Sequence, residues 1–344
     1  MAGKSISRIL IVGSGSMGNR HLHIAKDLFP EIEVRILKSK PKSVLIRNDN
    51  YFTSLQEVIT FNPSISVISN PAIFHIEVAN SLAEINSHLF IEKPLSNSSK
   101  NIKKLIQLCK AKALNLQVGY NLRFSSSLQK FKELIGSGQL GDLQRIECEA
   151  GQYLPDWRPE SDYRLGVSAR KELGGGVLLE LSHEIDYLRW IFGEVNWVSG
   201  KLSTESDLEI NVEDTARFKM GFSAINDLNG LVADVTLDFV RRSPTRFCRV
   251  YGSMADLEWN GLTGEVSIFV HNQSRWEKIY TDPNDLSKTY EFEWLSFIDS
   301  VNTGSRPFVT GEDGLRVVEV IEAIRIASDT GAKVPVVYDL SIGK

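Results

Sequence analysis

The sequence predicts an α/β chain of two domains: a doubly wound parallel sheet first, then an α+β domain with an open, mainly antiparallel sheet. Three observations carry that expectation. Through residue 122, short apolar runs alternate with amphipathic helical stretches. Beyond it, successive runs alternate apolar and polar with period two, separated by turn signals. The length, 344 residues, suits two domains better than one. The division read from this is 1–122 and 123–344.

In the first part the expected elements follow in order. "RILIVG" (8–13) is an apolar strand, and "SMGNRHLHIAKDLF" (16–29) a helix that stops before Pro30. "VRIL" (34–37) is a strand, and "SLQEVI" (54–59) a short helix capped by Ser54. Strands at 64–69, 88–92 and 116–120 are separated by helices at 72–85 and 98–113. Strands apolar at nearly every position fit a parallel sheet covered on both faces. The second part opens with a helix over 127–138 that ends at glycine. A period-two run over 142–154 and a loop rich in charge and aromatics over 155–172 come next. "GGGVLLELSHEIDYLRWIFG" (174–193) is helical in its second half. Seven further strands between 196 and 280 read as an antiparallel meander, and helices near 286–302 and 312–329 close the chain.

Composition narrows the class. The chain is 42% hydrophobic and 24% charged, with net charge −4. No long basic run appears, which argues against nucleic acid as a partner. No apolar stretch approaches the ~20 residues of a membrane span. Cys109, Cys148 and Cys248 lie far apart without CxxC spacing, so neither a disulfide framework nor a metal site is expected. The glycine turn arrives too early for a signal peptide. A cytoplasmic setting follows.

Gly13, Gly15 and Gly18 stand in G-x-G-x-x-G spacing between a strand and a helix. Such glycines permit a tight turn, close approach of backbone to a pyrophosphate, and helix-on-strand packing. The helix start at Gly13-Ser14-Gly15-Ser16-Met17-Gly18 offers unpaired N–H groups to phosphate. This is the phosphate loop of a Rossmann dinucleotide-binding domain. Its next test lies at the end of the second strand, where a carboxylate would bind the ribose 2′-hydroxyl and favour NAD. The sequence has Lys38-Ser39-Lys40 instead. Two cations and a hydroxyl suit a 2′-phosphate, so NADP is favoured over NAD.

Further motifs fall where strand ends open: "SNPAIFH" (69–75), "EKP" (92–94) and "GYNLRF" (119–124), with "GGGVLLELSHEID" (174–186) from the second part. In this order they resemble the glucose-fructose oxidoreductase / inositol dehydrogenase family, written Gfo/Idh/MocA. The resemblance runs from Ile9 to about Asp329. It implies a Rossmann domain and a C-terminal α+β domain whose sheet face packs into a homodimer or homotetramer. It also implies hydride transfer between a nicotinamide and a hydroxyl or ketone, mostly on sugars, inositols and their derivatives. Carried over, Lys93 of Glu92-Lys93-Pro94 points at the substrate, and Glu92 and Lys93 also border the cofactor. Asn70, Pro71 and His75 match positions by the cofactor. Asn121 does too, on a segment where Tyr120 and Arg123 border the nicotinamide and substrate. His183 matches the catalytic histidine, and Asp186 the acidic residue one helical turn beyond.

The chemistry fits those roles. Oxidation of a carbinol needs a base for the hydroxyl proton, and ketone reduction needs an acid. An imidazole such as His183 serves both directions. A lysine such as Lys93 polarises the substrate oxygen. One departure stands out. Many relatives place an aspartate four residues before the histidine, where this chain has Leu179; the acid nearest to that position is Glu180, three before His183. On one continuous helix either spacing makes neighbours, so Glu180 is the third candidate catalytic group.

In the loop, Trp157 and Tyr163 offer flat faces to a sugar ring, and Arg158, Arg164, Arg170 and Lys171 hold a phosphate or carboxylate. That pattern resembles members acting on nucleotide-linked or acidic sugars in surface-glycan pathways. A solvated or subunit-contacting loop carries the same residue types. Two other readings stay open at this level: a cofactor-binding sensor or scaffold without turnover, and a reductase of a non-sugar substrate such as a tetrapyrrole.

Overall fold

The computed structural model describes residues 6–38, 51–222, 230–270 and 274–338. The chain divides into two compact units. One takes residues through Tyr120 and also Glu293–Val318; the other takes Asn121–Phe292 and Glu319–Tyr338.

In the first unit, strands β1 (Arg8–Val12), β2 (Glu33–Leu37), β3 (Tyr51–Phe52), β4 (Ile65–Ile68), β5 (His88–Glu92) and β6 (Leu116–Gly119) form one sheet in the order β3-β2-β1-β4-β5-β6. Every pairing is parallel. Helices α1 (Ser16–Leu28), α2 (Leu55–Phe61), α3 (His75–Glu84) and α4 (Ile102–Ala111) make the crossovers. The Ser54 cap is real and stronger than read: Ser54 Oγ accepts the Glu57 N–H while Glu57 returns to the Ser54 N–H, a capping box. Strand order reverses direction between β1 and β4. In open parallel sheets ligands bind outside the carboxyl ends of the strands at that switch point.

The sequence anticipated five strands here, and there are six among the described residues. The edge strand β3 is two residues long and too short to carry a period. One face of the sheet packs Ile9, Ile11, Ile36, Ile65, Val67 and Phe90 against Trp294, Phe297, Ile298 and Val301. That apolar face explains why Glu293–Val318 group with this unit.

The second unit contains α5 (Ser126–Gly136), β7 (Leu143–Gly151), α6 (Val177–Glu180), α7 (His183–Phe192), and then β8 (Val195–Ser203), β9 (Thr215–Phe222), β10 (Val232–Asp238), β11 (Thr245–Gly252), β12 (Ala255–Asn260), β13 (Glu265–Val270) and β14 (Arg275–Thr281). Helices α8 (Asp285–Thr303) and α9 (Gly311–Thr330) begin and end within different units, and β15 (Val334–Pro335) pairs with β8. The sheet runs β14-β13-β12-β11-β7-β10-β9-β8-β15.

The meander read from sequence is therefore corrected. β10 and β11 are consecutive in the chain but are not neighbours. β7 lies between them, antiparallel to β11 and parallel to β10. Adjacency of successive strands is the usual default, and nothing local in the sequence announces an insertion. The fold class holds: a parallel dinucleotide-type sheet, then a mixed and mostly antiparallel one. Among the described residues no helix is long and apolar enough to cross a membrane.

Candidate active site

The phosphate loop is built by backbone. Gly13 has φ +104°, a conformation that disfavours a side chain, and its N–H donates to the Leu37 carbonyl at 2.9 Å. A Cβ on Gly18 would lie 2.1 Å from the Gly13 carbonyl oxygen, so helix α1 packs directly on the turn. A Cβ on Gly15 would meet nothing within 4 Å. Gly15 is exposed, and α1 starts there with no side-chain cap and no acidic residue in its first turn. The helix N-terminus thus offers N–H groups and positive dipole to an anion, with open space before it. Ser14 and Ser16 are exposed and Met17 is half-buried beside them.

Across the switch point, the turn after β4 closes the site's second side. Ser69 donates its backbone N–H to the Val12 carbonyl at 2.9 Å and its hydroxyl to the same oxygen at 2.8 Å. Asn70 follows, and its Oδ1 is buried with no hydrogen-bond partner among the described residues. Buried acceptors are normally satisfied, so a ligand N–H or O–H fits there. Pro71 starts the short 3-10 turn Ala72–Phe74 that leads into α3. The open glycine, the uncapped helix start and the waiting Asn70 oxygen fit a dinucleotide.

His75 is 1% exposed. Its Nε2 lies 2.7 Å from the Asn70 carbonyl and its Nδ1 3.1 Å from the Pro94 carbonyl. Burial pushes its pKa down. The ring ties the Asn70 turn to the Glu92-Lys93-Pro94 turn. There β5 ends: Glu92 is buried, Lys93 half-buried, and the Lys93–Pro94 peptide is cis. Glu92 Oε1 meets His21 Nε2 at 2.7 Å, and Glu92 Oε2 accepts the Lys93 backbone N–H at 3.2 Å. Sequence reasoning missed His21 altogether. It falls on the buried face of α1, one turn after Gly18, and no spacing rule marks it.

Of the residues read as a 2′-phosphate site, Ser39 and Lys40 lie outside the described residues. Lys38 directly follows β2, and its ammonium sits over the Tyr51 ring, 3.6 Å from the centroid.

The second unit carries His183. It is the first residue of α7 and 9% exposed. Glu180 is the last residue of α6, and the chain breaks helix at Leu181–Ser182. The two residues do not share a continuous helix, so the spacing argument that paired them does not apply. Arg123 and Asp186, read as substrate contacts, are 3% and 1% exposed and form a two-bonded pair at 2.8 and 2.7 Å. Asn121 donates to Thr289 Oγ1 at 2.8 Å, and Tyr120 is fully buried in the first unit. Helix α7 is held twice more: Arg246 Nε donates to Glu184 Oε1 at 2.9 Å, and Arg189 pairs with Glu194.

The 155–172 loop is largely bonded to its own surroundings. Trp157 donates to the Gln152 carbonyl and stands edge-on to Phe239 with centroids 5.2 Å apart. Arg164 pairs with Asp162 and Glu209, and Tyr163 Oη accepts the Glu209 N–H. Arg170 Nε donates to the Arg164 carbonyl. Arg158 is exposed.

Comparison with known proteins places this arrangement. The profile described as "Oxidoreductase family, NAD-binding Rossmann fold" matches residues 7–120, and "Oxidoreductase family, C-terminal alpha/beta domain" matches 132–336. The uncharacterised oxidoreductase YrbE of Bacillus subtilis is 26% identical over 91% of this chain and 92% of its own. A myo-inositol 2-dehydrogenase of Thermotoga maritima is 27% identical over 89% and 92%. The structure of a levoglucosan dehydrogenase in complex with NADH superposes with TM-score 0.81 at 21% identity, over 97% of this chain and all of that one. The WlbA dehydrogenase from Bordetella pertussis, in complex with NADH and UDP-GlcNAcA, gives 0.80 at 19% identity over 98% and 100%. The chain belongs to the Gfo/Idh/MocA oxidoreductase family, an enzyme with that family's NAD-binding Rossmann domain and C-terminal α/β domain.

Proposed function

We propose that this enzyme transfers hydride between a nicotinamide dinucleotide and a hydroxyl-bearing carbon of a sugar or sugar derivative. The observation that carries the proposal is the phosphate end of the first unit. There the uncapped, acid-free start of α1 lies behind an open Gly15, with the buried Asn70 Oδ1 across the switch point. Gly13 to Gly18, Asn70, Pro71 and Glu92 hold the dinucleotide, which supplies the hydride or accepts it. Lys93 polarises the substrate oxygen. His183 takes the hydroxyl proton in oxidation and returns it in reduction. Glu180, three residues before it, is the third candidate in this set, in the role of orienting His183. Asn121 borders the cofactor; Trp157, Tyr163 and exposed Arg158 border the substrate.

The relatives' names support a carbohydrate: myo-inositol and levoglucosan are both polyhydroxylated rings. A nucleotide-linked or acidic sugar from surface-glycan assembly extends the same reading. NADP is proposed over NAD because β2 is followed by Lys38-Ser39-Lys40 and no carboxylate. Pairing of two or four copies through the open face of the larger sheet is proposed as well. That face is half-buried at alternate positions of β10 and β12.

The test is absorbance of the reduced nicotinamide with myo-inositol, levoglucosan and UDP-linked acidic sugars, each with NAD and NADP. Lys93→Ala and His183→Ala are each expected to lower kcat at least ~10³-fold and to leave cofactor binding within about threefold. Full turnover in both variants overturns the residue roles. NADH bound clearly tighter than NADPH overturns the cofactor preference.

A further inference from the structure

Lys93 is followed by a proline whose carbonyl faces one buried histidine, and preceded by a glutamate held by another. The second histidine belongs to a chain of hydrogen bonds that the roles above leave unused. Trp294 donates its indole N–H to His21 Nδ1 at 2.9 Å. An indole nitrogen is a donor only, so Nδ1 must be the lone-pair nitrogen of the imidazole. The ring proton therefore sits on Nε2, which donates to Glu92 Oε1 at 2.7 Å. The other oxygen of Glu92 accepts the Lys93 N–H. Trp294 and His21 are fully buried and Glu92 is 6% exposed. Phe90 packs edge-on to His21, with centroids 5.2 Å apart. A Cβ on Gly119 would lie 3.1 Å from Glu92 Oε2, so the carboxylate occupies the space that a side chain would otherwise fill.

We infer that His21 is a positioning residue for Lys93, locked by Trp294 as its Nε2–H tautomer. The inference rests on the proposed role of Lys93. Moving the ring proton to Nδ1 would set one N–H against another, and flipping the ring would turn carbons toward both partners, in a dry pocket where nothing repays the lost bonds. The lock therefore keeps Glu92 Oε1 engaged with His21, and the Lys93 turn is held from its carboxylate side. His21 also stands on α1, the helix whose start faces the phosphates. The same chain of bonds ties the dinucleotide end of the domain to the lysine.

Three substitutions in the full-length protein test this. His21→Gln keeps an amide oxygen for Trp294 and an amide N–H for Glu92. His21→Leu removes both bonds, and Trp294→Phe removes one N–H while keeping an aromatic ring. The first readout is the rate at which acetic anhydride acylates Lys93, measured by mass spectrometry against exposed Lys100 in the same digest. His21→Leu is expected to change that rate at least fivefold, Trp294→Phe two- to threefold, and His21→Gln less than twofold. The second readout is NMR of ¹⁵N-histidine-labelled protein. One parent imidazole should show its proton on Nε2 and a lone pair on Nδ1, a signature lost in Trp294→Phe.

Unchanged Lys93 acylation in folded His21→Leu overturns the inference, as does an Nδ1–H tautomer for His21. If His21→Leu fails to fold, Trp294→Phe decides by both readouts. If Lys93→Ala retains hydride transfer while His21→Leu still alters acylation, the role of Lys93 falls and the positioning stands.

Discussion

Arg123 and Asp186 meet as a two-bonded fork inside the second unit, and Asp186 sits one helical turn beyond His183 on α7. A pair this buried is expensive to break, because the surviving charge has no water to turn to. Arg123→Met is therefore expected to destabilise the protein by about 3–5 kcal/mol. The check is urea unfolding. Arg123→Met with Asp186→Leu should cost less than the two single changes added together, since the double variant strands no charge.

The three loop glycines should separate by experiment. Gly18→Ala drives a Cβ into the Gly13 carbonyl, so the melting temperature should drop by several degrees or more. Gly15→Ala meets no protein atom and should leave the melting temperature nearly unchanged. It fills the space before the helix start, and cofactor affinity should fall at least ~10-fold there. Thermal melts and fluorescence titration distinguish the two.

His75 makes stability depend on pH. Burial holds its folded pKa below the ordinary value of 6.5, so between those values the unfolded chain binds the extra proton. Its contribution is complete above 6.5 and is lost as pH falls toward the folded value. His75→Gln should flatten this part of the decline. Urea midpoints of parent and variant at pH 7.5 and 5.5 measure it, and an equal decline in both would remove His75 as the cause.

All three thiols should be silent in the native protein. Burial pushes Cys109 up to about 12 and raises Cys148 and Cys248 further. The thiolate is the reactive form. Ellman's reagent at pH 8 should label none within minutes and all three after unfolding in urea.

Much of the fold could be read from the chain, and the reasons are local. β1, β4 and β5 are covered on both faces, so each is a continuous apolar run that no helix pattern imitates. Ser54 announced α2 because a cap acts over three residues. The glycine loop was legible because its three positions lie within six residues. What escaped depends on distance along the chain. Arg123 and Asp186 are 63 residues apart, His21 and Glu92 are 71, and His21 and Trp294 are 273. Each alone is an ordinary polar or aromatic residue. Only folding reveals that Arg123 and Asp186 take each other as partners, or that a tryptophan near the end of the chain fixes the proton of a histidine near its start. Glu180 shows the converse: three-residue spacing suggested a shared helix face, and two irregular residues between α6 and α7 removed the basis for it.

The insertion of β7 between β10 and β11 also has a price in time. Ile146 pairs with Ala233 and Cys148 with Cys248, so β7 finds its neighbours about ninety to a hundred residues downstream. Loops of that length close slowly, and contacts of that range slow folding. As the chain leaves the ribosome, the six parallel strands can assemble while β7 still waits, its edges unpaired, for the last third of the protein. A chain stopped short of residue 230 has no partner for either edge of β7, and truncations there should aggregate rather than yield a smaller folded domain.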